Sequence, residues 1–446
     1  MRRLIALVAA ILLTPIAVAE PLAFVNVNVV PMSSETVLEQ QTVVVNDGVI
    51  TAIGPVDDVP IPRDAEVVDG TDRFLMPGLA EMHAHVPSAD SANLDRTFSL
   101  YVANGVTLIR GMLGQASHLE LREQLKDGVV FGPQLVTSGP SLNGRSVTGA
   151  ANAEQLVRDQ HNSGYDFIKV HPGLTADEFE AIGNTAMELG MPFAGHVPVA
   201  AGIERALQLD MASIDHLDGY FAALLPADSD GAGGYGGFFD VLLADQVLES
   251  LIDDVVAATV AAGTWNVPTQ SLIEQLVNDE SVGVLSSRPE NRYMPQETVE
   301  RWAAAKQSQL RERGFTLKIG ARAIEIRRHL ILALHEAGAG LLLGSDAPQI
   351  FNVPGFAVHR ELGFLVAAGL SPFEALQTGT TAPAAFLGID TGSVVVGKAA
   401  DLVLLDANPL EDIANSRRVH GVMLRGAWHN SGDLRERLEP FKQDDD

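Results

Sequence analysis

The 446-residue chain carries 57 acidic against 30 basic side chains, a formal charge of −27, and 46% of its residues are hydrophobic. That charge excludes nucleic acid and anionic membranes as partners, because both need a basic surface, and the apolar content is ample for a large core with disorder confined to the tail "KQDDD". There is no cysteine, so disulfides, thiolate metal sites and a cysteine nucleophile are excluded, and any metal must be held by His, Asp, Glu or a modified Lys.

The chain opens "MRRLIALVAAILLTPIAVAEPLAF". Arg2 and Arg3 form a charged start, Leu4 to Leu13 an apolar stretch, and Ala17-Val18-Ala19 a small-residue cleavage site. The apolar run is too short to span a bilayer comfortably. These features predict a signal peptide over 1–19 and an exported, periplasmic or secreted mature protein from about Glu20.

Residues 22–75 read as short strands: "LAFVNVNVV", "QTVVVNDGVI" with an Asn46-Asp47-Gly48 turn, and "AEVVDG". Near the other end, "GSVVVGKAADLVLLDANP" and "VHGVMLRGAW" have the same character. The two flanks predict one small β-sandwich domain built from residues 20–75 and 388–435.

Between them, 76–387 alternates apolar strands with helices, the pattern of an α/β (β/α)₈ barrel. Eight strands are expected at 78–85, 106–111, 134–139, 166–171, 192–197, 213–217, 265–270 and 339–346. The segment "TADEFEAIGNTAMELG" predicts a helix: Thr175 and Glu178 make a capping box, Phe179, Ile182, Ala186 and Leu189 a buried stripe, and Gly190 a stop. The glycine-rich 221–240 reads as loop and 272–325 as added helices, together suited to a lid or substrate wall.

The chemistry gathers at the C-terminal ends of these strands, where barrel enzymes place it. Strand one ends in His83 and His85, which alternation puts on one face. Lys169, His196, His216 and Asp346 end strands four, five, six and eight. A lone strand-end histidine is usually a hydrogen-bonded core residue. Four, with an aspartate, favour a metal site. Lys169 in "YDFIKVH" would bury an ammonium at considerable cost. It is expected either to pair with an acid such as Asp166 or to be carboxylated to a metal-bridging carbamate.

The order H-x-H, Lys, His, His, Asp, in "FLMPGLAEMHAHVP", "FIKVHPGLTADEF", "PFAGHVP", "SIDHLDGY" and "LLLGSDAP", resembles the binuclear hydrolases of the amidohydrolase superfamily, closest to its imidazolonepropionase-like and Xaa-Pro dipeptidase-like group. The likeness spans essentially the whole mature chain. It implies that His83, His85 and Asp346 hold one divalent ion, that His196 and His216 hold a second, and that carboxylated Lys169 bridges them, with zinc the expected metal. It also implies a metal-bridging hydroxide that attacks the scissile carbonyl, with Asp346 as general base and then acid. The implied substrates are small amides such as dipeptides or N-acyl amino acids. The same ligands suit cyclic amides, lactones or esters, and a mononuclear deaminase is a further alternative. Two segments depart from the dipeptidase style, "HPGLT" after Lys169 and "IRGM" after strand two, and both would shape the substrate pocket.

Tyr220, Arg110 and His171 are candidate substrate contacts, each with an ordinary structural alternative. His118, His161, His329, His335, His359, His420 and His429 are expected to be structural. The partner is a small molecule, with a homo-oligomer left open.

Overall fold

The computed structural model describes residues 21–226, 229 and 237–443. The expected signal peptide lies outside the described residues. Among those that are described, no helix is long and apolar enough to cross a membrane.

The two ends of the chain meet in one eight-stranded sheet. Leu22–Val29 pairs antiparallel with Leu38–Asn46, which turns back into Val49–Pro55. The two-residue turn is the one the sequence predicts, with Asp47 and Gly48 both at positive φ (49° and 72°), as a hairpin matching the strand twist requires. Phe74–Pro77 is the junction. It lies parallel to Leu22–Val29 and antiparallel to Leu402–Leu405, which continues into Val419–Leu424 and Ala427–Asn430. Phe24, Val43, Val45, Leu75, Leu402 and Met423 close this core, with Trp428 edge-on to Phe24 at 5.1 Å. The stretch before Leu402 is less regular than expected: Val394, Gly397 and Ala400 donate to the carbonyls of Pro31, Ile50 and Gly48, while Val396 is exposed.

The middle of the chain is mixed α/β. Leu79–Ala84, Val106–Gly111 and Gln134–Thr137 form one parallel sheet. Ile168–Val170, Phe193–Gly195, Ser213–Asp215 and Trp265–Val267 form a second, in sequence order. Isolated parallel bridges join Ser138 to Phe167, Asn266 to Leu341 and Ala84 to Ala347. Seven of the eight expected strands are therefore present. The eighth, 339–346, holds one bridge, at Leu341, rather than a regular strand, with a second at Ala347 just beyond it; its N–H groups are shared out, Leu342 donating to Asn266 but Leu343 to Thr378. It is nevertheless packed tightly. A Cβ on Gly340 would fall 2.2 Å from the Trp265 ring, and one on Gly344 3.0 Å from the His83 Cβ.

Helix Ala176–Leu189 forms as its sequence predicts, with the complete Thr175–Glu178 capping box and Gly190 left-handed at φ 63°. The expected insertion supplies Gln270–Val277, Val282–Ser286, Gln296–Leu310 and Leu317–Glu336. The last of these carries Arg327 beneath the site.

Candidate active site

The strand ends converge on one floor. His83 and His85 follow a slip in register between Glu81 and Ala84, and both reach Asp346: its Oδ1 is 3.5 Å from His83 Nε2 and 2.9 Å from His85 Nε2. The backbone fixes this meeting, since Asp346 N–H donates to His83 O at 3.0 Å. His216 lies beside His83, and His196 beside His216, the rings tilted with centroids 4.6 Å apart in each pair.

His216 follows Asp215 directly, so a regular strand would send the two to opposite faces. His216 and Leu217 instead adopt left-handed φ values of 63° and 56°, and both Asp215 and His216 reach the floor. Holding two adjacent non-glycine residues there costs on the order of 1 kcal/mol or more each.

Hydrogen bonds fix the ring tautomers. Thr269 Oγ1 donates to Pro268 O at 2.7 Å, so it can only accept from His216 Nδ1, 2.8 Å away. His196 Nδ1 donates to Asp218 Oδ2 at 2.6 Å. In both rings the Nε2 lone pair is left free to bind a cation, with an outer hydrogen bond orienting the ring as metal-bound histidines usually have.

Electrostatics keep the floor ready for a metal. Burial holds the His83 imidazole down to about 4 against the pull of Asp346, and it drives His216 well below the ordinary range. Both rings are therefore neutral, as ligands must be. Burial alone would raise Asp346, but His83 and His85 outweigh it and carry the carboxyl down to about 2. His83 Nδ1 is buried with only Asp215 Oδ2 near it, at 3.2 Å and outside hydrogen-bond geometry. Among the described residues, two groups of donor atoms lie close enough to share an ion: His83, His85 and Asp346, and His83, Asp215 and His216.

Lys169 is fully buried, and its partner is not the Asp166 considered from sequence. Its Nζ donates to Asp215 Oδ2 at 2.7 Å, whereas Asp166 accepts from Arg122 and from the Thr137 N–H. Asp215 also faces His83 Nδ1 at 3.2 Å and Arg110 Nη2 at 3.3 Å.

The floor opens into a cavity of about 1170 Å³. His171 lines it, with its ring 4.9 Å from His196. The other two candidate contacts lie elsewhere, a correction to the sequence expectation. Arg110 is 1% exposed and bound to Met82 O, Ser213 Oγ and Asp215. Tyr220 is wholly buried, its hydroxyl held by Thr259 and Asn266. Both spend their polar atoms bracing strands.

The residues that sequence reasoning missed are Asp215, Asp218, Thr269, Phe239 and Arg327. Asp215 had a signal, an acid inside the apolar run "SIDHL". Asp218 stands two residues past a strand-end histidine. Thr269, Phe239 and Arg327 had none, because each meets the floor from a distant segment. Arg327 donates to His216 O, Pro268 O and Gln270 Oε1.

Parallel strands whose ends gather four histidines, a lysine and aspartates have the donor set of a metal-dependent enzyme. The sequence matches the amidohydrolase family over residues 74–429, most of the chain, and the protein belongs to that family. It is an enzyme, a hydrolase of amide bonds. Relatives by sequence include ochratoxinase from Aspergillus niger, 23% identical over 408 residues, covering 84% of this chain and 79% of that protein. Among solved structures, bottromycin amidohydrolase has a TM-score of 0.72 at 24% identity, covering 94% of this chain and 90% of its own. A Bifidobacterium longum protein assigned as a prolidase has a TM-score of 0.67 at 25% identity, covering 95% and 99%.

Proposed function

We propose that the protein is an exported, binuclear metal-dependent hydrolase of small amides, with dipeptides and N-acyl amino acids as the first compounds to test. The observation that carries this reading is the convergence of His83, His85, His196, His216 and Asp346 on one cavity floor, with Nε2 of His196 and His216 left free. His83, His85 and Asp346 would hold one ion and His196 and His216 the other, with Lys169, once carboxylated, supplying the anionic oxygens a second ion needs. Zinc suits these donors. The bound ions would polarise the carbonyl and acidify the attacking water. Asp346, ionised and lining the cavity, takes the proton that water loses as its oxygen bonds to the carbonyl carbon. It passes that proton to the nitrogen as the C–N bond breaks, giving a carboxylic acid and an amine.

The same reading makes the two parallel sheets arcs of one (β/α)₈ barrel spanning 76–387. The bridges at Ser138–Phe167, Asn266–Leu341 and Ala84–Ala347 support it. Residues 20–75 with 388–435 are then the β-sandwich domain. Export rests on the sequence of residues 1–19, and a mature N-terminus near Glu20, read by intact mass, tests it.

One observation favours a second reading. The Lys169 ammonium already has a buried counterion in Asp215, which suits a mononuclear centre on His83, His85 and Asp346 and a deaminase or cyclic-amide hydrolase. Metal analysis of the purified protein separates the two. About two ions per chain, a carbamate carbon signal after ¹³C-bicarbonate labelling, and loss of both in Lys169→Ala support the binuclear site. One ion, retained in the variant, overturns it.

A further inference from the structure

The cavity above the metal floor has a composition of its own. Phe238, Phe239, Leu243, Ile203, Val197 and Ala222 make an apolar wall. Phe239 is the anchor of that wall: at φ 54° its ring lies 4.7 Å from the His216 ring, against the chemistry itself. The charged side chains lining the cavity beyond the metal floor are Glu204, Asp218 and Asp240, all acidic. Among the described residues, no lysine or arginine lines it. The internal residues outside that set, 227, 228 and 230–236, include no lysine or arginine. Arg110 is taken by Asp215. Arg145 follows Gly144, which packs against Gly173 of the cavity wall, but its own side chain is exposed and outside the lining.

A substrate with a free carboxylate, such as a dipeptide or an N-acyl amino acid, would bring that charge into a cavity of acidic character with no cationic side chain to receive it. Desolvating an unpaired carboxylate is costly, and like charges repel. A bulky uncharged group meets the Phe238–Phe239–Leu243 wall favourably. We infer that the cavity selects amides with a bulky apolar group and no free carboxylate beside the scissile bond, such as arylalkylamides and cyclic-amine amides. This narrows the amide-hydrolase reading, placing dipeptides and N-acyl amino acids behind their carboxylate-free counterparts, and rests on it for turnover, though not for binding.

The test uses matched pairs that differ by the carboxylate alone: N-acyl phenylalanines against N-acyl phenethylamines, and aminoacyl-prolines against aminoacyl-pyrrolidides. With the zinc-loaded enzyme, kcat/KM is expected to be about tenfold or more higher for the member without the carboxylate. Glu204→Lys, at an exposed rim position, is expected to narrow that ratio by about threefold or more. Equal or greater kcat/KM for the carboxylate member overturns the inference. So does a carboxylate preference abolished by Arg145→Ala, which would place the missing cation on that loop. Calorimetric binding of the same pairs keeps the two readings apart. If neither member is hydrolysed but the neutral one binds about tenfold more tightly, the amidase reading fails and the cavity inference stands. Binding of neither member overturns the inference.

Discussion

Lys169 Nζ and Asp215 Oδ2 lie 2.7 Å apart with both side chains wholly excluded from solvent. Asp215 also faces Arg110 and the neutral His83 ring, so this carboxylate balances two buried cations, Lys169 and Arg110. Burial opposes its ionisation, but Lys169, His83 and Arg110 outweigh that and hold it well below the usual range. Asp215→Asn leaves Lys169 and Arg110 charged and uncompensated. Its expected cost in the metal-free protein is about 3–5 kcal/mol, read from the shift in urea midpoint. A change under 1 kcal/mol would mean that Lys169 is not charged there.

Thr269 and Asp218 orient the two histidines assigned to the second ion. Thr269→Val removes the acceptor for His216 Nδ1, and Asp218→Asn weakens the one for His196. Each is expected to lower zinc affinity about 10–100-fold with circular dichroism unchanged. Competition with a chromophoric chelator measures this. Unaltered affinity in both variants would remove His196 and His216 from the ligand set.

Arg327 ties the insertion helix to the floor through the carbonyls of His216 and Pro268, each at 2.6 Å. Arg327→Met strands two buried acceptors, His216 O and Gln270 Oε1, at roughly 1–3 kcal/mol each, while Pro268 O keeps the Thr269 hydroxyl. Denaturation should show that loss, and turnover should fall because the left-handed turn at His216 loses its brace. Wild-type stability and turnover together would show that the turn holds itself.

His359 lies away from the metal floor, between Ser416 Oγ and Asn104 O. Burial lowers its imidazole from 6.5 to about 4. Between pH 6.5 and 4 the unfolded chain therefore binds a proton that the folded chain refuses, and stability falls as pH drops through that window, by up to about 1.4 kcal/mol per pH unit. His359→Gln should flatten that limb of the stability–pH curve relative to wild type. An unchanged slope would refute the assignment.

Much of this was legible from the chain alone. Helix Ala176–Leu189 declared itself through a capping box and a glycine stop, and the hairpin turn through Asn46-Asp47-Gly48, because both signals are local and need no partner. His83, His85, Lys169, His196, His216 and Asp346 were legible for a related reason. A polar residue ending an apolar strand is costly to bury, so its presence asks for chemistry.

What the sequence by itself determined, then, was the strand order, the residues gathered at the strand ends, and through them the family. Tertiary structure decided the rest. It gave Lys169 to Asp215 rather than Asp166, turned Arg110 and Tyr220 into braces, and brought Thr269, Phe239 and Arg327 to the histidines from segments tens of residues away. Those outcomes depend on which buried charge reaches which counterion, and on backbone turns such as the one at His216 that reverse strand alternation. Neither is set by local spacing. Both follow from the pressure on most buried polar groups to find a partner in the finished core.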